Sequence, residues 1–431
     1  MKIAVWHNLP SGGGKRALYD QVRGLLARGH SIEVWCPPTA DLSYLSLRDM
    51  VPEHVVPLEP SFEWWTRPAG LKMLYRLRWN PWAKLRAMGR HSRECAQQIN
   101  AKKFDLLFAA SCILYHTPSI GRFLDIPSVL YLQEPNRPLY EAQPELPWSA
   151  LTWTSKDLLR IRFWQRALLH RVRLSGIRVL AREERRSALA FDQILVNSFF
   201  SRESVLRTLG VNSQVCYLGV DTDKFINQEK KREFFVVFVG ALIPSKNVEF
   251  LIESLGKVPV SSRPKLVLIS NTIARPYLDL ILELAEHTGV VLELKHRISD
   301  TEVIDTLNRA RIMLYAPRLE PFGYAVLEAS ACGLPVIAVA EGGVRETIQD
   351  GVNGILVDHD PESMAAAIER MMHDEELHSR LSAQAQNLAK TTWSLNPSIE
   401  RLERRLRIQL DKRHLESWGD DMREYSVPAS G

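Results

Sequence analysis

The feature that most constrains this 431-residue chain is that its alternation of strands and helices starts twice. Residues 3–7 read as a buried strand, followed by the loop Pro10-Ser11-Gly12-Gly13-Gly14. From Lys15 to Arg28, Leu18, Val22, Leu25 and Leu26 recur at helical spacing, and Gly29 stops the helix. A strand at 32–35 completes a βαβ unit, with more strands expected at 106–109, 129–132 and 193–196. A second series opens at 234–239 and continues with strands at 266–269, 290–294, 312–315, 336–339 and 355–357. Between the two series lie the turn-rich Leu218-Gly219-Val220-Asp221-Thr222-Asp223 and the charged Glu229-Lys230-Lys231-Arg232-Glu233. The expected organisation is therefore a domain at 1–217, a linker at 218–233, a domain at 234–390, a terminal helix at 391–410 crossing back to the first domain, and a tail at 411–431. This is an α/β fold class, with two Rossmann-like doubly wound domains facing an interdomain cleft, the default place for a ligand.

Composition narrows the class further. Apolar residues make up 45% and charged residues 24% of the chain, which excludes a disordered or fibrous protein. Cys36, Cys95, Cys112, Cys216 and Cys332 are odd in number and widely spaced, as expected of reduced thiols in a cytoplasmic protein. Met1 leads directly into a strand, leaving no room for a signal peptide, and the most apolar long stretch, 321–340, is interrupted by Glu328, Gly333 and Pro335. A nicotinamide oxidoreductase is disfavoured because the first βαβ unit lacks Gly-x-Gly-x-x-Gly and its second strand ends at Cys36-Pro37 without an acidic ribose ligand.

Chemistry concentrates in Arg318-Leu319-Glu320-Pro321-Phe322-Gly323-Tyr324-Ala325-Val326-Leu327-Glu328. A strand ends near Tyr315, a loop carries Glu320, Gly323 lets backbone approach a ligand, and a helix from about Gly323 holds Glu328 in its second turn. Both carboxylates then face the strands' carboxyl ends, beside a helix N-terminus suited to phosphate or sugar oxygens. Two carboxylates next to a diphosphate would repel it, so they are assigned to neutral hydroxyls, with cations left to hold the phosphates. Spacing alone favours a capping role for Glu320 and none for Glu328.

Two glutamates separated by seven residues, with Pro-Phe-Gly after the first and Ala-x-x-x-Gly-x-Pro-Val after the second, resemble the retaining GT-B glycosyltransferases of family 4. Val239-Gly240-Ala241-Leu242-Ile243-Pro244-Ser245-Lys246 is similar to the family's phosphate loop, and Ile298-Ser299-Asp300, Glu341-Gly342-Gly343-Val344-Arg345-Glu346 and Asp350-Gly351-Val352-Asn353-Gly354 match loops that follow. Weaker matches in the first half are Gly12-Gly13-Gly14 with Lys15 and Arg16, Val196-Asn197-Ser198 and Gly219-Val220-Asp221-Thr222. The resemblance implies a GT-B fold in which Glu320 contacts the donor sugar, Glu328 the ribose, Lys246 the diphosphate, and Gly12 to Gly14 the phosphates from the opposite domain. Phe322, Gly323 and Tyr324 belong to the same donor-binding stretch.

The chain departs from the family in two places. Ala241 stands where an arginine is usual, and Arg318, or Lys15 and Arg16 from the other lobe, is expected to supply the missing charge. Gln133 stands where many relatives place a histidine, leaving His116 and Glu134 as candidates for acid/base work. In the reaction that the resemblance implies, the leaving phosphate itself takes the acceptor proton. The implied reaction moves a hexose, with retained configuration, from a GDP-mannose or UDP-glucose type of donor to a saccharide or lipid-linked acceptor in glycan or glycolipid synthesis. A sugar-nucleotide epimerase of the same fold, or a noncatalytic sugar-nucleotide-binding protein, is the alternative.

Two basic stretches, 62–103 and 148–186, interrupt the first series and carry Trp64, Trp65, Trp79, Trp82, Trp148, Trp153 and Trp164 among many arginines. Tryptophan and arginine together suit a peripheral position on an anionic membrane, so docking on the inner face is expected, as against basic helices that merely cover the first domain. No nucleic-acid partner is expected. Asp221-Thr222-Asp223 and Asp358-His359-Asp360 spell a metal-binding pattern of another transferase fold, but their turn and Pro361-flanked settings suit capping instead, and no cofactor or catalytic metal is expected. Donor turnover should therefore persist unchanged in excess EDTA; loss of rate restored by a divalent cation would contradict this reading.

Overall fold

The computed structural model describes residues 1–59, 81–141, 146 and 148–424. Trp64, Trp65 and Trp79 of the first basic stretch lie outside the described residues.

Two all-parallel sheets form. The first comprises β1 (Lys2–Asn8), β2 (Ser31–Cys36), β3 (Glu53–Val55), β4 (Leu106–Cys112), β5 (Ser128–Tyr131), β6 (Gln193–Val196) and β7 (Gln214–Val215), in the order β3-β2-β1-β4-β5-β6-β7. The second comprises β8 (Phe235–Val239), β9 (Lys265–Ser270), β10 (Leu292–His296), β11 (Ile312–Tyr315), β12 (Val336–Val339) and β13 (Gly354–Val357), ordered β10-β9-β8-β11-β12-β13. The edge strands β3 and β7 escape the sequence reading because Glu-His-Val and Gln-Val are too short to show a period. Strand order reverses between β1 and β4 in one sheet and between β8 and β11 in the other, so each lobe has a crevice at the carboxyl ends of those strands.

The near-continuous apolar runs of these strands follow from burial on both faces. Along β1, Ile3 and Val5 enter one core while Ala4 and Trp6 enter another on the opposite face. In β8, Val237 points one way and Val236 and Phe238 the other. The cluster that holds Ile3, Val5 and Val237 runs through both lobes and also takes in Trp393, Ile399, Leu402 and Leu406. Those last residues belong to, or just precede, the helix Leu395–Glu424, which runs well past the expected end at 410. Each buried leucine or isoleucine there contributes about 1.5–3 kcal/mol, so the returning helix is part of the first lobe's core and not a cover over it.

That packing depends on a missing side chain in the helix Gly13–Ala27. A methyl group on Gly24 would lie 2.4 Å from Ile399 Cγ1 and 2.8 Å from its Cδ1. Gly24→Val should therefore push the returning helix away and destabilise the chain by about 1–3 kcal/mol, the usual cost of overpacking. A thermal melt of the variant unchanged from wild type would show that the helix does not bear on this core.

Candidate active site

The two crevices face each other across a cleft of about 370 Å³. Gly12, Gly13, Gly14, His116, Gln133, Glu134 and Arg137 line it from the first lobe, and Lys246, Glu320, Phe322, Gly323 and Tyr324 from the second.

Lys246 ends the short turn Pro244–Lys246 beyond β8, and its Nζ donates to Glu320 Oε2 at 2.6 Å. Burial would raise the Glu320 carboxyl, but Lys246, Arg137 and the Gly323 N–H together hold it below the usual carboxylate range. Its loop leans on the Glu341-Gly342-Gly343 segment. The Gly343 N–H donates to the Glu320 carbonyl at 2.7 Å, and Glu341 Oε1 accepts from the Leu319 N–H at 2.6 Å. A methyl on Gly342 would lie 2.4 Å from the Glu320 carbonyl oxygen, and one on Gly343 only 2.1 Å from that of Pro321. The double glycine thus sets the height of Glu320 in the cleft.

Glu328 does sit in the second turn of a helix, Tyr324–Ala331, but it lines a buried ion pair and not the cavity. Arg16 Nε lies 3.2 Å from Glu328 Oε1, while Arg16 Nη2 reaches Asp300 Oδ1 at 2.8 Å and the Tyr44 hydroxyl at 2.9 Å. Burial pushes the Glu328 carboxyl up to about 7 against the pull of Arg16, with Asp300 and Asp20 adding to the rise.

The other expected cations lie elsewhere. Arg318 is half exposed beside Glu341, its Nε 3.6 Å from Oε2, and does not line the cleft, because Glu341 holds both its side chain and the next peptide N–H. Lys15 is buried inside the first lobe with Nζ 3.4 Å from His7 Nε2, where burial lowers its pKa and Glu53 opposes that. Arg137 takes the position that these were expected to fill. It lines the cleft, donates to the Arg318 carbonyl at 2.6 Å and pairs with Glu141 at 2.8 Å. Its sequence signal was its place just beyond β5, at a strand's carboxyl end.

Gln133 packs on the glycine loop, its Nε2 3.5 Å from the Gly14 carbonyl. His116 leaves Nδ1 without a hydrogen-bond partner, and burial lowers its pKa to about 4, aided by Arg137, so the ring is neutral at pH 7. Burial raises the Glu134 carboxyl, against Arg137 and with Glu320 adding to it. Behind His116 lies a residue the sequence did not mark. Glu184, from the helix Ile161–Ala188, accepts from Asn136 Nδ2 at 2.9 Å and from the His116 N–H at 3.3 Å, and burial pushes its carboxyl up to about 7. Nothing along that helix separates it from Glu183, which pairs with Arg122 at 2.8 Å.

In the two Asp-x-Asp stretches the first and last aspartates serve a turn and a cap. Asp221 accepts from the N–H groups of Asp223 and Lys224, at 3.1 and 3.2 Å, and Asp360 caps the helix Pro361–His373 through the Ser363 N–H at 2.8 Å. The cleft is also closed by direct bonds between lobes. Ser198 Oγ donates to the Pro321 carbonyl at 2.6 Å, and the Tyr324 hydroxyl donates to Asp20 Oδ2 at 3.0 Å. Glu346 accepts from the N–H groups of Phe199 and Phe200, both at 2.9 Å, and so caps the first-lobe helix Phe199–Leu209 from the second lobe.

Two family models match consecutive parts of the chain: Glycosyltransferase Family 4 over residues 11–224 and Glycosyl transferases group 1 over residues 219–388. The chain belongs to the group 1, family 4 glycosyltransferases. D-inositol 3-phosphate glycosyltransferase of Thermobispora bispora is 31% identical over 173 residues, covering 37% of this chain and 40% of that protein. The enzyme of the same name from Mycolicibacterium smegmatis is 28% identical, covering 47% of this chain and 50% of the other. The chain thus matches about half or less of the length of these relatives. Its fold is GT-B. HepE of Anabaena, solved with UDP and glucose, superposes with a TM-score of 0.68 at 18% identity, over 94% of this chain and 99% of that one. Sucrose-phosphate synthase of Thermosynechococcus elongatus superposes with a TM-score of 0.69 at 15% identity, over 96% and 100%.

If Lys246 holds a donor phosphate, Lys246→Met should weaken UDP or GDP binding by about 1.5–3 kcal/mol, the worth of a hydrogen bond to a charged group, which is roughly a ten- to hundredfold rise in Kd by titration. An unchanged Kd would leave the lysine as a partner of Glu320 only.

Proposed function

We propose that this chain transfers a hexose from a nucleoside diphosphate sugar to a saccharide or lipid-linked acceptor, with retained anomeric configuration. The observation that carries the reading is the Lys246–Glu320 pair facing the Gly12 to Gly14 loop and Arg137 across one cleft. Departure of a nucleoside diphosphate builds negative charge on the phosphate oxygens. Lys246 and Arg137 from opposite lobes, with the glycine-loop N–H groups, would stabilise that charge in a closed cleft. Arg137 in this role compensates for Ala241.

Glu320, held ionised by Lys246, would accept hydrogen bonds from hydroxyls of the sugar and oppose the positive charge of an oxocarbenium-like transition state. His116 is neutral and lines the cleft, so its ring can take a hydrogen bond from a sugar or acceptor hydroxyl. Glu328 reaches a ribose only by sharing its carboxylate with Arg16, which places Arg16 in the donor's binding energy as well. Donors of the GDP-mannose or UDP-glucose type fit this arrangement, and HepE's UDP and glucose support the latter. Among the described residues no helix is long and apolar enough to cross a membrane, and work on a lipid-linked acceptor would take place at the inner face of the bilayer from the cytoplasm.

A panel of nucleotide sugars tests the reading. At least one should be hydrolysed slowly without acceptor, and Arg137→Met should lower that rate about ten- to a hundredfold, as expected when a charged contact to the leaving group is lost. Failure of every donor to bind or turn over at millimolar concentration would overturn the catalytic reading, and an inverted product anomer would overturn retention.

A further inference from the structure

The helix Ile161–Ala188 has apolar side chains on two opposite faces, and only one is used. At about 100° per residue, Phe163, Ala167, Leu174, Ile177 and Ala181 fall on one side, and all of them are partly covered. Ile161, Trp164 and Leu168 fall on the other side and are exposed, Ile161 at 76% and Leu168 at 65%, next to Leu159 at 90%. Leu169, also exposed, widens this stripe on one side up to Arg162 and Arg173, and Arg171 borders it on the other. Asp157 is the only acid between positions 148 and 182, and it is engaged in a local turn with Thr154.

At the covered side, an apolar groove of about 410 Å³ is lined by Leu139, Tyr140, Trp148, Leu174, Ile177 and Ala181, with Arg178 beside them. Leu139 and Tyr140 share the single turn Arg137–Tyr140 with Arg137, which lines the catalytic cleft. One turn of helix therefore separates the groove from the cleft.

We propose that the stripe docks on an anionic lipid leaflet and that the groove takes a hydrocarbon chain of the membrane-held acceptor, whose sugar or phosphate end then reaches the cleft past Arg137. This rests on the glycosyl-transfer reading for the acceptor's identity. An apolar stripe edged by cations complements acyl chains beneath anionic headgroups. A second copy of the chain fits worse, since face-to-face pairing would bring the arginine edges together.

Flotation of the full chain with vesicles tests the surface. Binding is expected to phosphatidylcholine mixed with phosphatidylglycerol and not to phosphatidylcholine alone. Ile161→Glu with Leu168→Glu, both at exposed positions, should lower the partition coefficient on the order of a hundredfold. Arg162→Gln with Arg171→Gln, one on each edge, which keeps the apolar stripe, should lose the anionic preference. For the groove, dodecyl phosphate below its micelle concentration should bind saturably, and Ala181→Trp should weaken that binding at least about tenfold while vesicle flotation persists. Equal binding to both vesicle types, an undiminished partition in the glutamate variant, or dodecyl phosphate binding indifferent to Ala181→Trp would overturn the proposal. So would a dimer in sedimentation that the glutamate variant dissolves. Donor hydrolysis by the glutamate and glutamine variants should match wild type. If no donor is hydrolysed even by wild type, the catalytic reading fails while the lipid results stand by themselves.

Discussion

The closed geometry of this molecule depends on one guanidinium. Arg16 leaves the first turn of a first-lobe helix and enters a site in the second lobe bounded by Glu328 and Asp300. A buried ion pair of this kind adds little over an apolar contact of the same shape, but removing one partner strands the other and costs about 3–5 kcal/mol. Arg16 thus specifies how the lobes meet more than how tightly. The Tyr324–Asp20, Ser198–Pro321 and Glu346 contacts can form only in the lobe arrangement that Arg16 requires. So can the juxtaposition of Lys246 and Glu320 with the glycine loop.

The fold was legible because both sheets are parallel and buried, which writes the strands as short apolar runs separated by helical spacing. Where that signal is short it fails, as at β3 and β7. The candidate site was legible where its residues lie close in sequence. Glu320, Gly323 and Glu328 come from one loop and the helix that follows it, and the local reading put Glu328 at the right helical turn. It could not show that Arg16, far away along the chain, would occupy Glu328, because an ion pair between lobes leaves no trace in spacing. For the same reason Arg318 looked like the spare cation and Arg137 did not. Which arginine enters a cleft is decided by the backbone conformation on either side of it and by competing carboxylates such as Glu341.

Glu184 shows the same limit from the other side. A glutamate amid arginines on a basic helix reads as a surface charge, yet it is buried behind His116 and ties the long basic helix to the cleft wall. The helix is consequently not an appendage. Its carboxyl-terminal half is part of the first lobe's interior, and its amino-terminal half extends outward with one of its two apolar faces uncovered.

The returning helix has a consequence for the order in which the molecule is made. Leu402 and Leu406 complete the same core as Leu18, Val22 and Leu25, although nearly the whole chain separates them in sequence. During synthesis the first lobe emerges with a face of its core open, and it stays open until the second lobe has been made and the end of the chain returns. The nascent protein therefore spends most of its translation with that face exposed, an interval in which aggregation has to be held off whatever the stability of the finished molecule.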